Sequence, residues 1–315
     1  IWIIGRGGLL GQAIYRELVP FYDIWAPSDP IMWSEPENYR FSIQNAVEEF
    51  SSQLHTLDRP WTIYWCAGIG TIGATDSEIV AEYERAKTFI ECLSSKLGVL
   101  AVQGTIFYSS SAGGIYGASE DALVTEDTDI AINSPYGDMK LRVEHLFEDW
   151  AIETGGKLAI GRISNLYGRG QNVLKRQGLV SAGCLALLKQ QPLEIFVPLE
   201  TTRNYLYVDD AARTIVGFVE KVTDMPTSST EIKIICSPYN LSIAAVLFEI
   251  RQVYGRRPAV GFGNRLAISN YKKNLSLAST RHTNIEPKHF TSMLIGIAET
   301  RRGLLLELMN GSLAL

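Results

Sequence analysis

The sequence predicts an α/β protein built on a doubly wound parallel sheet, and three observations predict it. Short apolar runs alternate with longer segments of helical period over residues 1–163, a glycine-rich turn follows the first run directly, and the pattern loosens after Gly168. Strands alternating with helices read as parallel strands joined by right-handed crossovers. The looser remainder predicts a second, smaller lobe.

Residues 1–4 (Ile-Trp-Ile-Ile) are uniformly apolar and read as a buried strand, residues 11–19 as a helix, 23–26 as a strand, and 61–67 as another apolar strand. Residues 76–97 are too long for a strand and read as a helix, 105–109 as a strand, 136–153 as a helix and 158–163 as a strand. Beyond Gly168 a helix is expected at 178–188, a strand between Pro192 and Pro198 at 193–197, and a strand at 232–236 that returns to the main sheet. The remaining C-terminal third reads as mostly helical with loops. The expected division is a dinucleotide-binding domain of residues 1–168 plus about 204–236, and a substrate lobe of about 169–203 plus 237–315. Ligands of such sheets bind at the carboxyl edge of the strands, so the cleft between the lobes is the expected site.

Composition bounds the function. The 315 residues carry 46% hydrophobic and 20% charged side chains with a net charge of −5, which offers no basic surface for nucleic acid. No stretch approaches the roughly 18 apolar residues of a membrane span, and no secretion signal opens the chain, so a cytoplasmic protein is expected. Because Ile1 falls inside a strand, a few residues, including an initiator Met, are expected to precede it. Cys66, Cys92, Cys184 and Cys236 form no CxxC pair and read as structural thiols. His55, His145, His282 and His289 show no metal-ligand spacing, and no metal is expected.

The turn Gly5-Arg6-Gly7-Gly8-Leu9-Leu10-Gly11 stands between a strand and a helix. In that context one glycine makes the turn, one admits a pyrophosphate and one allows close helix packing, with the helix N-terminus facing the anion. Dinucleotide binding follows, on a Rossmann-like sheet. The ribose-reading position at the end of the second strand falls at Ser28, with Asp29 next. With no clear acid there and Arg6 able to face a 2′-phosphate, NADP is slightly favoured over NAD.

Tyr136 and Lys140 lie one helical turn apart, where a cation supports a phenolate. About two dozen residues earlier runs Ser109-Ser110-Ser111-Ala112-Gly113-Gly114-Ile115-Tyr116-Gly117. With the glycine turn, and with Gly161-Arg162-Ile163-Ser164-Asn165-Leu166-Tyr167-Gly168 and Thr202-Arg203-Asn204-Tyr205 further on, the chain resembles the extended short-chain dehydrogenase/reductase family, in its nucleotide-sugar epimerase and reductase branch.

The resemblance implies that Ser111 hydrogen-bonds the reacting sugar oxygen, that Tyr136 exchanges its proton, and that Lys140 lowers the tyrosine pKa while binding the nicotinamide ribose. It implies cofactor contacts at Gly5, Arg6, Gly8, Leu9, Leu10, Gly11, Ser28, Asp29, Ala67, Gly68, Ser109, Tyr136, Lys140 and Ile163. Substrate contacts are implied at Ser111, Ala112, Asn165 and Arg203, with the Arg203 fork on a phosphate and Tyr116 lining the pocket. A homodimer through the helices at 76–97 and 136–153 is implied as well, with Ile79, Tyr83, Phe89 and Leu93 as contributors. Three departures stand out. Glu84 or a neighbour occupies the place of a common asparagine, Ala112-Gly113 replace the acidic pair of a 4,6-dehydratase, and Phe196–Glu200 lacks a glycine-rich turn.

Three functions compete. A 4-epimerase that transiently oxidises a nucleotide-linked sugar, with tightly held NAD, is placed first. An NADPH-dependent reductase of a nucleotide-linked 4-keto sugar follows. A non-catalytic dinucleotide sensor is last, because such proteins commonly lose the tyrosine or lysine and both are present.

Overall fold

The computed structural model describes residues 1–57, 59–68, 73–173, 178–262, 274–311 and 313. Five strands form one parallel sheet in the order β1–β2–β3–β4–β8: β1 (Trp2–Ile4), β2 (Trp61–Trp65), β3 (Gly104–Ser111), β4 (Lys157–Ile163) and, later in the chain, β8 (Thr230–Ile235). Register aligns the carboxyl ends of β1 with β2 and of β3 with β4, with Ile4 opposite Trp65 and Ser111 opposite Ile163, and β3 runs past β2, whose Trp65 lies opposite Tyr108. The strand expected at 232–236 is thus present in the main sheet, beginning two residues earlier and ending one earlier.

Both faces of the sheet are covered, which is why its strands are apolar throughout. Helix α1 (Leu9–Leu18) and the later α7 (Val208–Thr223) cover one face, where Ile14 and Ile215 meet Phe107. On the other face α2 (Pro36–Leu57), α3 (Asp76–Leu97) and α5 (Pro135–Thr154) bring Val47, Phe89 and Phe147 against Ile106 and Tyr108. Alternate residues of β3 therefore enter different cores, as a period of two requires. Between β3 and α5 lies the single turn α4 (Ala112–Ile115).

Two expectations about this half are corrected. Residues 23–26 form no full strand: a single bridge joins Trp25 to Trp2, with Trp25 N–H donating to Ile1 O at 2.7 Å. The ladder stops because Pro27 has no N–H and the N–H of Ser28 is taken by Glu49 at 3.0 Å. Phe89 and Leu93, offered as dimer contacts, are wholly buried in the chain's own core. Helix α2 was not anticipated, although Pro36 at its start and Tyr39, Ile43, Val47, Phe50 and Leu54 on one face mark it.

The remaining elements pack over the carboxyl edge. β5 (Asn165–Tyr167), α6 (Leu179–Lys189) and β6 (Leu193–Ile195) precede β7 (Thr202–Tyr207), and β9 (Asn240–Ser242), α8 (Ile243–Tyr254), β10 (Val260–Phe262), β11 (Asn274–Leu275) and α9 (Met293–Met309) follow β8. β5, β7 and β11 make a small parallel sheet, with β9 antiparallel to β7, and β6 pairs with β10. Helices α6, α8 and α9 share a core around Cys184, Ile250 and Ile297. Among the described residues no helix is long and apolar enough to cross a membrane.

Candidate active site

The glycine turn forms where expected. Gly5 has φ +87°, and its carbonyl accepts the N–H of Gly8 at 3.0 Å. A Cβ on Gly5 would come within 2.6 Å of Ala67 N, and one on Gly11 would overlap Gly5 O, so only glycine lets β1, α1 and the end of β2 approach this closely. Helix α1 begins without a side-chain cap, so its first N–H groups face the turn. A glycine turn leading into uncapped helix N–H groups is an arrangement suited to an anion such as a diphosphate.

Serine-rich β3 delivers Ser109, Ser110 and Ser111 to the same edge. Ser111 caps α4, its Oγ accepting the N–H of Gly114 at 3.1 Å. The hydroxyl accepts there, which keeps its proton for a ligand. Ser110 turns inward and donates to Glu144.

Helix α5 starts at Ser134, whose Oγ accepts the N–H of Gly137 at 3.2 Å, with Pro135 in the first turn. That start puts Tyr136 at the cleft and Lys140 one turn further in. The Lys140 ammonium lies 5.7 Å from the Tyr136 ring centre and 5.3 Å from that of Tyr108. It donates to Glu82 Oε1 at 3.0 Å and to Ser109 O at 3.3 Å. Lys140 is 5% exposed and Glu82 7%. Burial alone would lower the lysine pKa, but the Glu82 carboxylate, helped by Tyr108 and Tyr136, outweighs it and holds the ammonium charged well above the usual range.

A second buried ion pair ties α5 to β4. Arg162 donates to both carboxylate oxygens of Glu144, at 3.2 and 2.7 Å, and to the Tyr116 hydroxyl at 2.6 Å. Burial acts to lower the arginine pKa and Glu144 more than reverses it, while burial raises that of Tyr116. Tyr116 is fully buried and does not line the pocket as expected.

These parts enclose a cleft of about 310 Å³. Its lining brings together Leu9, Leu10, Ala67, Gly68, Ser109, Ser111, Tyr136, Lys140, Ile163 and Asn165 from five separate stretches of the chain. Asn165 is oriented by donating to Asn204 O at 2.9 Å.

Other expected site residues lie elsewhere. Ala112 is buried, and its neighbour Gly113 lines the cleft instead. Arg203, on β7, is not part of the lining and donates to Thr202 O at 2.7 Å. Arg6 stacks over the Tyr15 ring at 5.0 Å on a separate surface with Gln12 and Arg16. Ser28 and Asp29 are exposed and outside the cleft.

Two residues were missed. Glu82, not Glu84, faces Lys140, and Glu84 is exposed. Glu49, on α2, accepts both the N–H and the hydroxyl of Ser28, at 3.0 and 2.8 Å, and so puts a carboxylate at the position where sequence showed none. Among the described residues no group of three or more His, Cys, Asp or Glu is placed to hold a metal ion.

Known proteins resemble the chain in both sequence and fold. The dTDP-4-dehydro-6-deoxyglucose reductase of Escherichia coli is 31% identical over 115 residues, 36% of each chain. A putative UDP-glucose 4-epimerase of Methanocaldococcus jannaschii is 34% identical over 108 residues, 34% of this chain and 35% of the relative. The matched stretch thus spans about a third of these relatives. Among solved structures, UDP-glucose 4-epimerase from Thermotoga maritima with UDP-glucose shares the fold at a TM-score of 0.74 and 20% identity, covering 98% of this chain and 99% of that one. RMD from Pseudomonas aeruginosa complexed with NADPH does so at 0.76 and 17%, with the same coverage. Residues 1–232 match a described family throughout, and the chain belongs to the NAD dependent epimerase/dehydratase family.

Proposed function

We propose that the protein exchanges hydride and proton at C4 of a nucleotide-linked sugar with a tightly held NAD, and turns over as a 4-epimerase. One observation carries this reading: Ser111, Tyr136 and Lys140 share a single cleft with the residues beside the glycine turn. The Gly5 and Gly11 contacts admit no side chain where the turn packs against the end of β2 and against itself, the close packing that a dinucleotide-binding turn uses. When bound, the nicotinamide supplies the hydride acceptor and donor.

The chain's own residues do the rest. The N-terminus of α1 holds the diphosphate, and Lys140 holds the nicotinamide ribose. Ser111 donates to the reacting sugar oxygen, and Tyr136 takes the alcohol proton on its phenolic oxygen and returns it later. Asn165, at the start of β5, contacts the sugar or its diphosphate. The carboxylate of Glu49 on Ser28 would meet a 2′-phosphate with like charge, which favours NAD over NADP. Cofactor that is retained and not consumed is what an epimerase needs.

A second reading, net reduction of a nucleotide-linked 4-keto sugar, is favoured by Arg6 and Arg16 beside the glycine turn and by the likeness to the Escherichia coli reductase. Nucleotide released from the denatured protein separates the two. NAD, together with interconversion of 4-epimers without NADPH consumption, is the expected result; NADPH turnover on a 4-keto sugar nucleotide would replace it. Tyr136→Phe should retain cofactor and lose activity by about 100-fold or more. Unchanged turnover in that variant would remove the catalytic assignment.

A further inference from the structure

Glu82 lies directly behind the cleft. Gly68 lines the cleft, and a Cβ on it would come within 3.0 Å of Glu82 Oε1, so this carboxylate packs against backbone that faces the cleft. Glu82 approaches from α3 and Lys140 from α5, and the pair is screened from water on both sides. Glu144 and Arg162 form a second balanced pair that lies outside the cleft lining. Lys140 is the one charged side chain among the described residues that line the cleft, and Glu82 opposes it at 3.0 Å, so in a dry site a missing partner is felt at short range.

The two redox forms of a nicotinamide differ by one positive charge on the ring. A bare Lys140 ammonium would discriminate against the oxidised ring and favour the reduced one. We infer that Glu82 is a positioning residue that sets the redox preference of the site: by cancelling the charge of Lys140 it lets the cleft retain NAD⁺ against NADH. The inference rests on the dinucleotide-binding part of the proposed function and adds to it a residue and a thermodynamic role. An enzyme whose cycle begins by oxidising its substrate must rest with the oxidised cofactor, and Glu82 supplies that bias.

The test reads nucleotide binding rather than turnover. Wild-type holoprotein and Glu82→Gln are equilibrated with mixtures of NAD⁺ and NADH, passed through a gel-filtration column, and the bound nucleotides quantified. Glu82→Gln should shift the bound ratio about tenfold toward NADH, the effect of one uncompensated neighbouring charge. A merely structural role for Glu82 would weaken both nucleotides alike and leave the ratio unmoved. Lys140→Met should shift the ratio the other way, toward NAD⁺, and Lys140→Met with Glu82→Gln, which removes the pair together and serves if Glu82→Gln alone fails to fold, should bring it back toward wild type. A ratio within twofold of wild type for folded Glu82→Gln, or a double variant as shifted toward NAD⁺ as Lys140→Met, overturns the inference while leaving the proposed function standing. A wild-type protein that binds neither nucleotide overturns the proposed function itself.

Discussion

Replacing Gly137 with alanine should destabilise the protein, against the expectation from helix propensity. Gly137 lies in the first turn of α5. An exposed glycine in a helix costs about 1 kcal/mol relative to alanine, so propensity alone forecasts a gain of that size. Here a Cβ would overlap the carbonyl oxygen of Gly114 and come within 2.9 Å of its carbon and 3.0 Å of Ile132 Cγ2. The first of these obstacles is backbone, which cannot rotate away, so α4 and α5 must separate. Overpacking of this kind costs about 1–3 kcal/mol, which leaves a net loss of up to roughly 2 kcal/mol after the propensity gain. The same separation moves Tyr136 away from Ser111, because α5 carries one and the N-cap of α4 the other. A displacement approaching 1 Å lowers turnover by about 100-fold. Urea denaturation with steady-state kinetics measures both effects. Gly113→Ala is the control, since a Cβ there meets nothing within 4 Å and its fold should be as stable as wild type. An unchanged or higher urea midpoint for Gly137→Ala, with turnover within twofold of wild type, would refute the argument that this contact sets the spacing of the two groups.

Two further outcomes follow from buried charge. Glu144→Gln strips the carboxylate from Arg162 and should cost about 3–5 kcal/mol in chemical denaturation, whereas Glu144→Met with Arg162→Met should recover most of it. Glu126 gives a pH signature. Burial pushes its carboxyl up, but hydrogen bonds from Ser279, Thr280 and Ile234 more than offset this and hold its pKa below the ordinary 4.5. A depressed carboxyl contributes stability above its unfolded value and loses it as pH falls through the folded one. Glu126→Gln should therefore melt below wild type at pH 7, and the gap should close in melting curves taken below pH 4.5.

The parts of the site that were legible in the sequence are those fixed by local spacing. The helix at 76–97 matches its expected limits because Thr75 and Glu78 form a capping box at one end and Gly98 follows the other. The glycine turn and the Tyr136–Lys140 pair are likewise set within one turn of chain. What was not legible depends on contacts distant in sequence. The edge strand at 23–26 fails because Glu49, on the following helix, takes a backbone donor the ladder would have used. Tyr116 points inward because Arg162, on β4, offers it a hydrogen bond. Neither partner is signalled by the residues around the group it captures.

Glu82 is the instructive intermediate case. The run Glu82-Tyr83-Glu84 offers carboxylates two residues apart, which a helix turns about 200° away from each other, so one must face the core when the other faces water. Residues 86, 89, 93 and 97 are all buried, at steps of three and four, and Glu82 falls one step before them on the same stripe. A carboxylate on the apolar stripe of a long helix is too costly to leave unpaired, so its position demands a buried cation on whatever packs against that face. The neighbouring helix is α5, and the cation it buries is Lys140. The phase of the helix therefore distinguishes Glu82 from Glu84 without reference to any relative, and the same demand that keeps Glu82 paired brings its charge beside Lys140 in the wall of the cleft.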